Sequence, residues 1–343
     1  MSKGTTGAVE NTIAVVNNIK FYESMFWPKF AVVMQVYHNL DDVPQFSGLV
    51  LTQGTFDGVH LGHIKVLENV VQEAQQSGLE SMLLTFFPHP RLVLYPNDNP
   101  LRMLSSLDEK IQQVEACGID HMLILPFTSD VAALSPLDFV RGVLVNKLKV
   151  STMIVGYDHR FGKNREGSFA DLMQYGEMLN FTVKEIPAGE IDHIAVSSTR
   201  IRNALLCGDL LQANQLLGRP YIISGKVVHG RKLGRTLGFP TANIEVEDPY
   251  KLIPATGVYA IRAHLPSGIY GGAMNIGFNP SIPGKGFSIE AHLFGFSEEI
   301  YEIAIRFEMI AYLRQEYTFD NLEALTKQIA QDCEDAKMAL AAV

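Results

Sequence analysis

Two histidines three residues apart, His60 and His63, stand in the decapeptide Gly54-Thr55-Phe56-Asp57-Gly58-Val59-His60-Leu61-Gly62-His63. Imidazole N–H groups can neutralise charge on phosphate oxygens. Residues at this spacing share one face of a helix. The first turn of a helix also leaves backbone N–H groups unpaired at the positive end of its dipole. Together these make an anion site suited to phosphate. The flanking residues supply the elements it needs. Leu49 to Leu51 is an apolar, β-prone run, and Ile64, Leu67, Val70, Val71 and Ala74 recur at helical spacing, so the decapeptide is a strand-to-helix turn. Gly54, Gly58 and Gly62 permit tight turning and close approach of a ligand. A surface pair, or a pair satisfied in the core, is the competing reading; the strand–helix junction weighs against it.

Three further clusters follow other apolar runs: Phe86-Phe87-Pro88-His89-Pro90, Gly156-Tyr157-Asp158-His159-Arg160-Phe161-Gly162, and Ser197-Ser198-Thr199-Arg200-Ile201-Arg202. The last offers hydroxyls, N-terminal amides and arginine, all suited to a polyphosphate. A capped helix with surface arginines would look the same.

These clusters are spaced by an alternation of strand and helix. The predicted strands are Met34–His38, Leu49–Thr52, Ser81–Phe86, His121–Leu125, Thr152–Val155 and Phe181–Ile186. Ser106 with Glu109 forms a capping box, and Ser135 before Pro136 is an N-cap. Such alternation implies a parallel sheet covered on both faces, with ligands at the C-terminal strand ends. A helix over Leu210–Leu217 ends at Gly218-Arg219-Pro220. Beyond it, Ile222–Val228, Gly257–Ala263, Gly271–Ile276 and Phe287–Phe296 are strand-like and separated by Gly/Pro turns, which predicts an antiparallel sheet or small barrel. Asp320-Asn321-Leu322-Glu323 opens a final helix with Leu322, Leu325, Ile329, Cys333 and Ala336 along one face.

A chain of 343 residues is long for a single core, so two domains are expected. A net charge of −9 argues against a nucleic-acid surface. Cys117, Cys207 and Cys333 fit neither a zinc spacing nor a disulfide framework, which points to a reducing cytoplasm. No apolar run approaches a membrane span. Residues 1–33 lack a signal-peptide pattern and read as an N-terminal extension or a start-site artefact, with Met34 as the natural start.

The paired signatures His-x-Gly-His and Ser-Ser-Thr-x-x-Arg resemble the nucleotidyltransferase superfamily that bears them. The fuller set, GTFDGVHLGH with FPHP, GYDHRFG and SSTRIR, resembles the FMN adenylyltransferase module of bacterial bifunctional riboflavin kinase/FAD synthetases. The resemblance implies a Rossmann-like domain over 34–206 that joins FMN to the AMP part of ATP. His60 and His63 would be catalytic. Gly54, Phe56, Ser197, Ser198, Thr199 and Arg202 would complete the ATP site, and Pro88, His89, Asp158 and Phe161 would line the flavin pocket.

The β-rich half opens on a stretch from Gly225 to Asn243 with four glycines and four basic residues, a composition that by itself fits a mobile loop. Its ending, Gly238-Phe239-Pro240-Thr241-Ala242-Asn243, resembles the flavokinase signature. Pro254–Ala260, Asn275-Ile276-Gly277 and Ser288-Ile289-Glu290-Ala291-His292-Leu293 extend the resemblance. It implies a six-stranded antiparallel barrel over 220–343 with a terminal helix, joined through 207–219. Gly225, Lys226, Gly234, Gly238, Thr241 and Asn243 would bind ATP, with Thr241 and Asn243 at Mg²⁺. Glu290 would be the general base for riboflavin, and Arg314 would help hold nucleotide or flavin. Alternation along the strand turns Glu290 and His292 away from Ile289, Ala291 and Leu293. Asn279-Pro280-Ser281, Gly295 and Glu302 depart from the family pattern.

The reading is therefore a cytoplasmic bifunctional enzyme that makes FMN and then FAD from riboflavin and ATP. It would use Mg²⁺, act without nucleic acid or membrane, and exist as a monomer or weak homo-oligomer. The rivals are a nucleotidyltransferase for another phosphorylated substrate, such as phosphopantetheine, and a non-catalytic flavin-binding protein.

Overall fold

The computed structural model describes residues 33–95, 101–156, 160–163, 166–187, 196–230, 238–278 and 286–342. The expected extension 1–33 lies outside them but for Val33. The described chain forms two compact units that meet in sequence between Ser198 and Thr199.

The first unit is α/β. Its strands are β1 (Gln35–Tyr37), β2 (Leu49–Gln53), β3 (Glu80–Phe87), β4 (His121–Pro126), β5 (Val150–Gly156) and β6 (Thr182–Ile186). They form one sheet in the order β1-β4-β3-β2-β5-β6, and every pairing is parallel. Helices α1 (Leu61–Ser77), α2 (Pro90–Leu94), α3 (Leu107–Ala116), α4 (Ser129–Ala133), α5 (Pro136–Phe139) and α6 (Phe169–Leu179) lie between them, and a π-helical stretch Val140–Lys147 continues α5. All five residues of β2 are buried, as a central parallel strand covered on both faces requires. On one face Val50 packs with Ile64, Leu67 and Val70 of α1 and Val114 of α3. On the other Leu49 and Leu51 pack with Phe86, Phe139, Leu144, Val155 and Phe161. The capping box is present: Ser106 N donates to Glu109 Oε2 at 3.0 Å and Glu109 N to Ser106 Oγ at 3.2 Å.

The second unit opens with α7 (Ser198–Leu206) and α8 (Leu210–Leu217). These helices pack with the strands that follow. Ala255 N donates to the Leu205 carbonyl at 3.0 Å. Asn214, buried in α8, donates to the Met309 carbonyl at 3.0 Å and accepts from Tyr221 N at 2.8 Å.

Strands β7 (Tyr221–Val228), β8 (Ala242–Glu245), β9 (Gly257–Leu265), β10 (Gly268–Gly277), β11 (Ser288–Leu293) and β12 (Ala304–Arg314) close into a barrel in the order β10-β11-β8-β7-β12-β9. Residue patterning had named four of these. It missed β8, which is short, and β12, although Ile305, Phe307 and Met309 alternate and are buried. The strand predicted to reach Phe296 ends at Leu293. The terminal helix α9 (Leu322–Ala341) is capped by Asn321, whose side chain accepts from Ala324 N at 2.9 Å. Its buried contact is narrower than expected. Ala336 packs on Ala260 and Ala273, and Cys333 is buried, but Leu322 is exposed.

Gly225 shows how tightly the barrel closes. A Cβ there would lie 2.6 Å from the Glu245 carbonyl oxygen and 2.6 Å from Ile244 Cγ2 on β8. A backbone oxygen in a ladder cannot retreat cheaply. We expect Gly225→Ala to destabilise the barrel by about 1–3 kcal/mol, read as a fall in its thermal transition. An unchanged transition would show that β7 and β8 have room to separate.

Candidate active sites

The first site is built on the turn between β2 and α1. Phe56 and Val59 have φ of 45° and 36°, the left-handed region that side-chain-bearing residues avoid, and Gly58 has φ of 82°. A turn this strained must be held by its surroundings, and Asp57 is the centre of what holds it. Only 2% exposed, it accepts at Oδ1 from Leu104 N at 2.9 Å and Ser105 N at 3.4 Å. Gly58 N donates to Ser105 Oγ at 3.2 Å. Lys110 reaches in from α3, and its buried ammonium donates to the Thr55 carbonyl at 2.8 Å. Burial pushes the Lys110 pKa down, and the charge of Asp57 opposes that shift.

This frame presents the two histidines. His60 is the N-cap of α1, its Nδ1 accepting from His63 N at 3.4 Å. The imidazoles stack with centroids 3.6 Å apart and planes 13° from parallel, and the Phe56 ring lies 4.8 Å from that of His63. The pair therefore shares one face at a helix N-terminus, as its spacing predicted. Ser198 Oγ donates to the Asp57 carbonyl at 3.1 Å, joining the Ser-Ser-Thr signature to the turn. A Cβ on Gly54 would lie 2.9 Å from the Phe56 ring. Ser197 and Thr199 are exposed; Arg202 is half-buried and shares a face of α7 with Ser198.

Of the residues assigned to a flavin pocket, Phe161 is buried against Phe86 and Phe139 in the core on the other face of the sheet. Pro88, after a cis peptide bond, is exposed at the end of β3. His89 caps α2, its Nδ1 accepting from Arg91 N at 3.1 Å. Exposed Phe87, Val93, Leu94 and Tyr95 give this loop an apolar surface that sequence reading had passed over. Asp158 lies outside the described residues.

The second site is a row across the barrel wall. Strand register places Val258, Asn275, Glu290, Asn243 and Val228 side by side on β9, β10, β11, β8 and β7. Residues directly opposite in a ladder stand close enough for their side chains to act together. Glu290 is thus flanked by two amides, and its Oε1 accepts from Ser288 Oγ at 3.2 Å. Ile289, Ala291 and Leu293 are buried while Glu290 and His292 are not, as the alternation predicted. His292 Nδ1 donates to the Pro240 carbonyl at 2.8 Å, which fixes the segment entering β8. Thr241 lies in that segment. Gly230 passes so near Asn243 that a Cβ would fall 2.0 Å from its Nδ2. Glu316 closes the row, accepting from Asn275 Nδ2 at 3.2 Å and Phe278 N at 3.0 Å.

The other residues named for this half have protein partners of their own or a special backbone conformation. Arg314 is engaged by Asp332 through Nε at 2.7 Å and Nη2 at 2.6 Å, and its guanidinium lies 4.7 Å from the Tyr317 ring centre. Lys226 pairs with Glu302, itself at φ of 66°. Gly238 has φ of 87° with open space around it, so backbone conformation is what requires glycine. Gly234 lies outside the described residues. Asn275, Glu316, Asp57 and Lys110 were not singled out as site residues from sequence. Lys110 had a signal: it occupies an apolar stripe with Leu107, Ile111 and Val114.

Known proteins share both halves. Residues 43–200 match the FAD synthetase family model and residues 217–340 match riboflavin kinase. The bifunctional riboflavin kinase/FMN adenylyltransferase of Listeria monocytogenes is 39% identical over 290 residues, 84% of this chain and 91% of the relative. That of Haemophilus influenzae is 39% identical over 301 residues, covering 88% and 96%. A solved structure described as a macrolide-efflux protein from Streptococcus pneumoniae matches with a TM-score of 0.79 at 28% identity, covering 89% of this chain and 99% of that one.

The Lys110 contact is open to test. Lys110→Met keeps the stem and removes the ammonium, leaving the Thr55 carbonyl without its buried donor. Leaving a buried acceptor unsatisfied costs about 1–3 kcal/mol. The α/β unit should unfold at correspondingly lower urea, and a shift of the midpoint too small to resolve would show that the turn is held without the Lys110 contact.

Proposed function

The chain belongs to the family of bifunctional riboflavin kinase/FMN adenylyltransferases, and we propose that the stacked His60–His63 pair and Glu290 carry its two transfers. The enzyme phosphorylates riboflavin to FMN with ATP and joins FMN to AMP from a second ATP, giving FAD and pyrophosphate. The adenylyltransferase half comes first in the chain. We set its functional border at 34–206, the linker at 207–219 and the kinase at 220–343, because the signature ending at Arg202 belongs with the His pair by motif.

In adenylyl transfer an FMN phosphate oxygen attacks the α-phosphorus of ATP, and the bond to the pyrophosphate oxygen breaks. The nucleophile is already ionised, so the protein's task is to hold the reactants in line and neutralise charge on the α-phosphate and leaving group. His60, His63 and the first-turn amides of α1 do this in our reading. Ser198, Thr199 and Arg202 hold the polyphosphate, with Phe56 and Gly54 beside it. Phe161, the Pro88–His89 loop and Asp158 receive the flavin.

In the kinase half the riboflavin 5′-hydroxyl attacks the γ-phosphorus and ADP leaves. The hydroxyl must lose a proton, and Glu290 accepts it. The observation that carries this assignment is the register that seats Glu290 between Asn243 and Asn275. The Thr241 hydroxyl and Asn243 amide offer hard, neutral oxygens, which suit Mg²⁺ bound mainly through substrate phosphates. Bound there, Mg²⁺ would neutralise phosphate charge. Gly225, Lys226 and Gly238 stand nearby in sequence, and Arg314, fixed by Asp332, shapes the end of β12.

Three free cysteines support a reducing, cytoplasmic setting. A net charge of −9 supports the absence of nucleic acid. No helix among the described residues is long and apolar enough to cross a membrane. We place the enzyme as a monomer or weak homo-oligomer.

Two variants with two supplied flavins separate the sites. Glu290→Gln given riboflavin should form FMN about 10²–10⁴-fold more slowly, yet convert supplied FMN to FAD normally. His60→Ala should do the reverse, losing about 10²–10³-fold in FAD formation. Chromatography of the flavins reads both. Equal loss of both products in either variant would sink the two-site assignment, and no product from the unsubstituted protein would favour a flavin-binding protein without catalysis.

A further inference from the structure

The sheet order β1-β4-β3-β2-β5-β6 reverses direction between β2 and β5. Connections on the two sides of such a point run opposite ways, so a crevice opens there beyond the carboxyl ends of the strands. The ladder between β2 and β5 ends at Leu51↔Met153, whereas β2 stays paired to β3 through Gln53↔Leu84. Gln53 is therefore the last residue of β2, beside the opening. Leu49, Leu51 and Gln53 alternate onto the same face, the one bearing Phe86, Phe139, Val155 and Phe161.

An amide is out of place in that setting. Gln53 is 6% exposed, and among the described residues its Oε1 has no hydrogen-bond partner. A buried polar atom left unsatisfied destabilises a fold unless something outside the fold satisfies it. Such violations concentrate at functional sites. Phe56, which packs against His63, belongs to the core of the opposite sheet face. Gln53 thus faces away from the side that presents the histidines and toward the side that presents Phe161.

We propose that the Gln53 carboxamide is a specificity-determining contact of the adenylyl-transfer site, pairing with the imide edge of the bound flavin ring. That edge carries an N3–H donor between two carbonyl acceptors. A carboxamide carries one acceptor and one donor group side by side, so it can accept from N3–H and donate to a neighbouring carbonyl. The inference rests on the reading that the Phe161 face receives the flavin.

The experiment compares FMN with N3-methyl-FMN, which lacks the donor, in the full chain and in Gln53→Leu. Leucine removes the unsatisfied amide, so the variant should unfold at the same temperature or higher, and its riboflavin kinase rate should be unchanged. We expect its KM for FMN to rise about 10-fold, the scale of one well-made hydrogen bond, with KM for ATP unmoved. The unsubstituted protein should prefer FMN over N3-methyl-FMN by a similar factor, and the variant should treat them alike. Equal use of both flavins by the unsubstituted protein overturns the contact without need of any variant. So does an unchanged KM for FMN in Gln53→Leu, or a rise in KM for ATP instead, which would assign the amide to adenine. FAD formed with these results refutes the Gln53 contact alone; no FAD from the unsubstituted protein refutes it together with the functional reading.

Discussion

Asp57 is a carboxylate placed where water scarcely reaches, and the first site depends on what satisfies it. The turn from β2 to α1 passes through φ values that Phe56 and Val59 would not adopt alone. Asp57 ties this turn to residues 104 and 105 through two backbone amides, and Lys110 ties it to α3 through Thr55. Its own carbonyl receives Ser198. Three separated stretches of chain thus meet on one tetrapeptide. The consequence is a fixed geometry: His60 begins α1 where the turn delivers it, and His63 stacks on it. Electrostatic stabilisation of a developing charge is effective when the donors need not reorganise at the moment of reaction.

The barrel reaches the same end through register rather than through a buried charge. Closing six strands fixes which residues stand opposite one another, and a slip of one would turn every side chain to the other face. Glu290 can therefore be flanked by Asn243 and Asn275 only while β8, β11 and β10 keep their alignment. Close approaches at Gly225 and Gly230 leave little freedom to change it. Glu316, from beyond β12, reaches back to Asn275 and the chain after β10, so the last strand also steadies the row. Gly277 makes room for it, since a Cβ there would fall 1.9 Å from Glu316 Oε2.

Sequence alone made the α/β half legible because its signals are local. Apolar runs of a few residues, a capping box at Ser106 and an N-cap at Ser135 each declare an element without reference to distant partners. The His60–His63 pairing was legible for the same reason, since both residues lie on one turn of one helix. Lys110 escaped notice because its burial depends on Thr55 and Asp57, far away in sequence. The barrel was harder to read. The alternation in β12 is plain once Ile305, Phe307 and Met309 are seen together, but β8 is too short to show a period. The row through Glu290 is a property of four strand pairings and cannot be found in any one of them. Arg314 shows another limit: its pairing with a carboxylate on α9 depends on a residue 18 positions away and could not be read from the motif.

The contrast between the two sites follows from the acidity of their nucleophiles. A phosphate monoester is ionised at neutral pH, so a site that uses it gains nothing from a base and loses from a nearby carboxylate, whose charge would repel both substrates. The described surroundings of the His60–His63 pair fit this demand. Imidazoles and first-turn amides are donors, and the acid nearest in sequence, Asp57, is turned inward and covered. A primary hydroxyl holds its proton at neutral pH, and transfer to it profits from a base placed beside it. Glu290 is set directly between two neutral amides, Asn243 and Asn275, and the second carboxylate of the row, Glu316, is engaged by Asn275 and Phe278 N. On the proposed assignment one chain handles ATP twice with opposite demands on charge at the nucleophile, and exchanging the two environments would leave each reaction with the wrong sign of charge there.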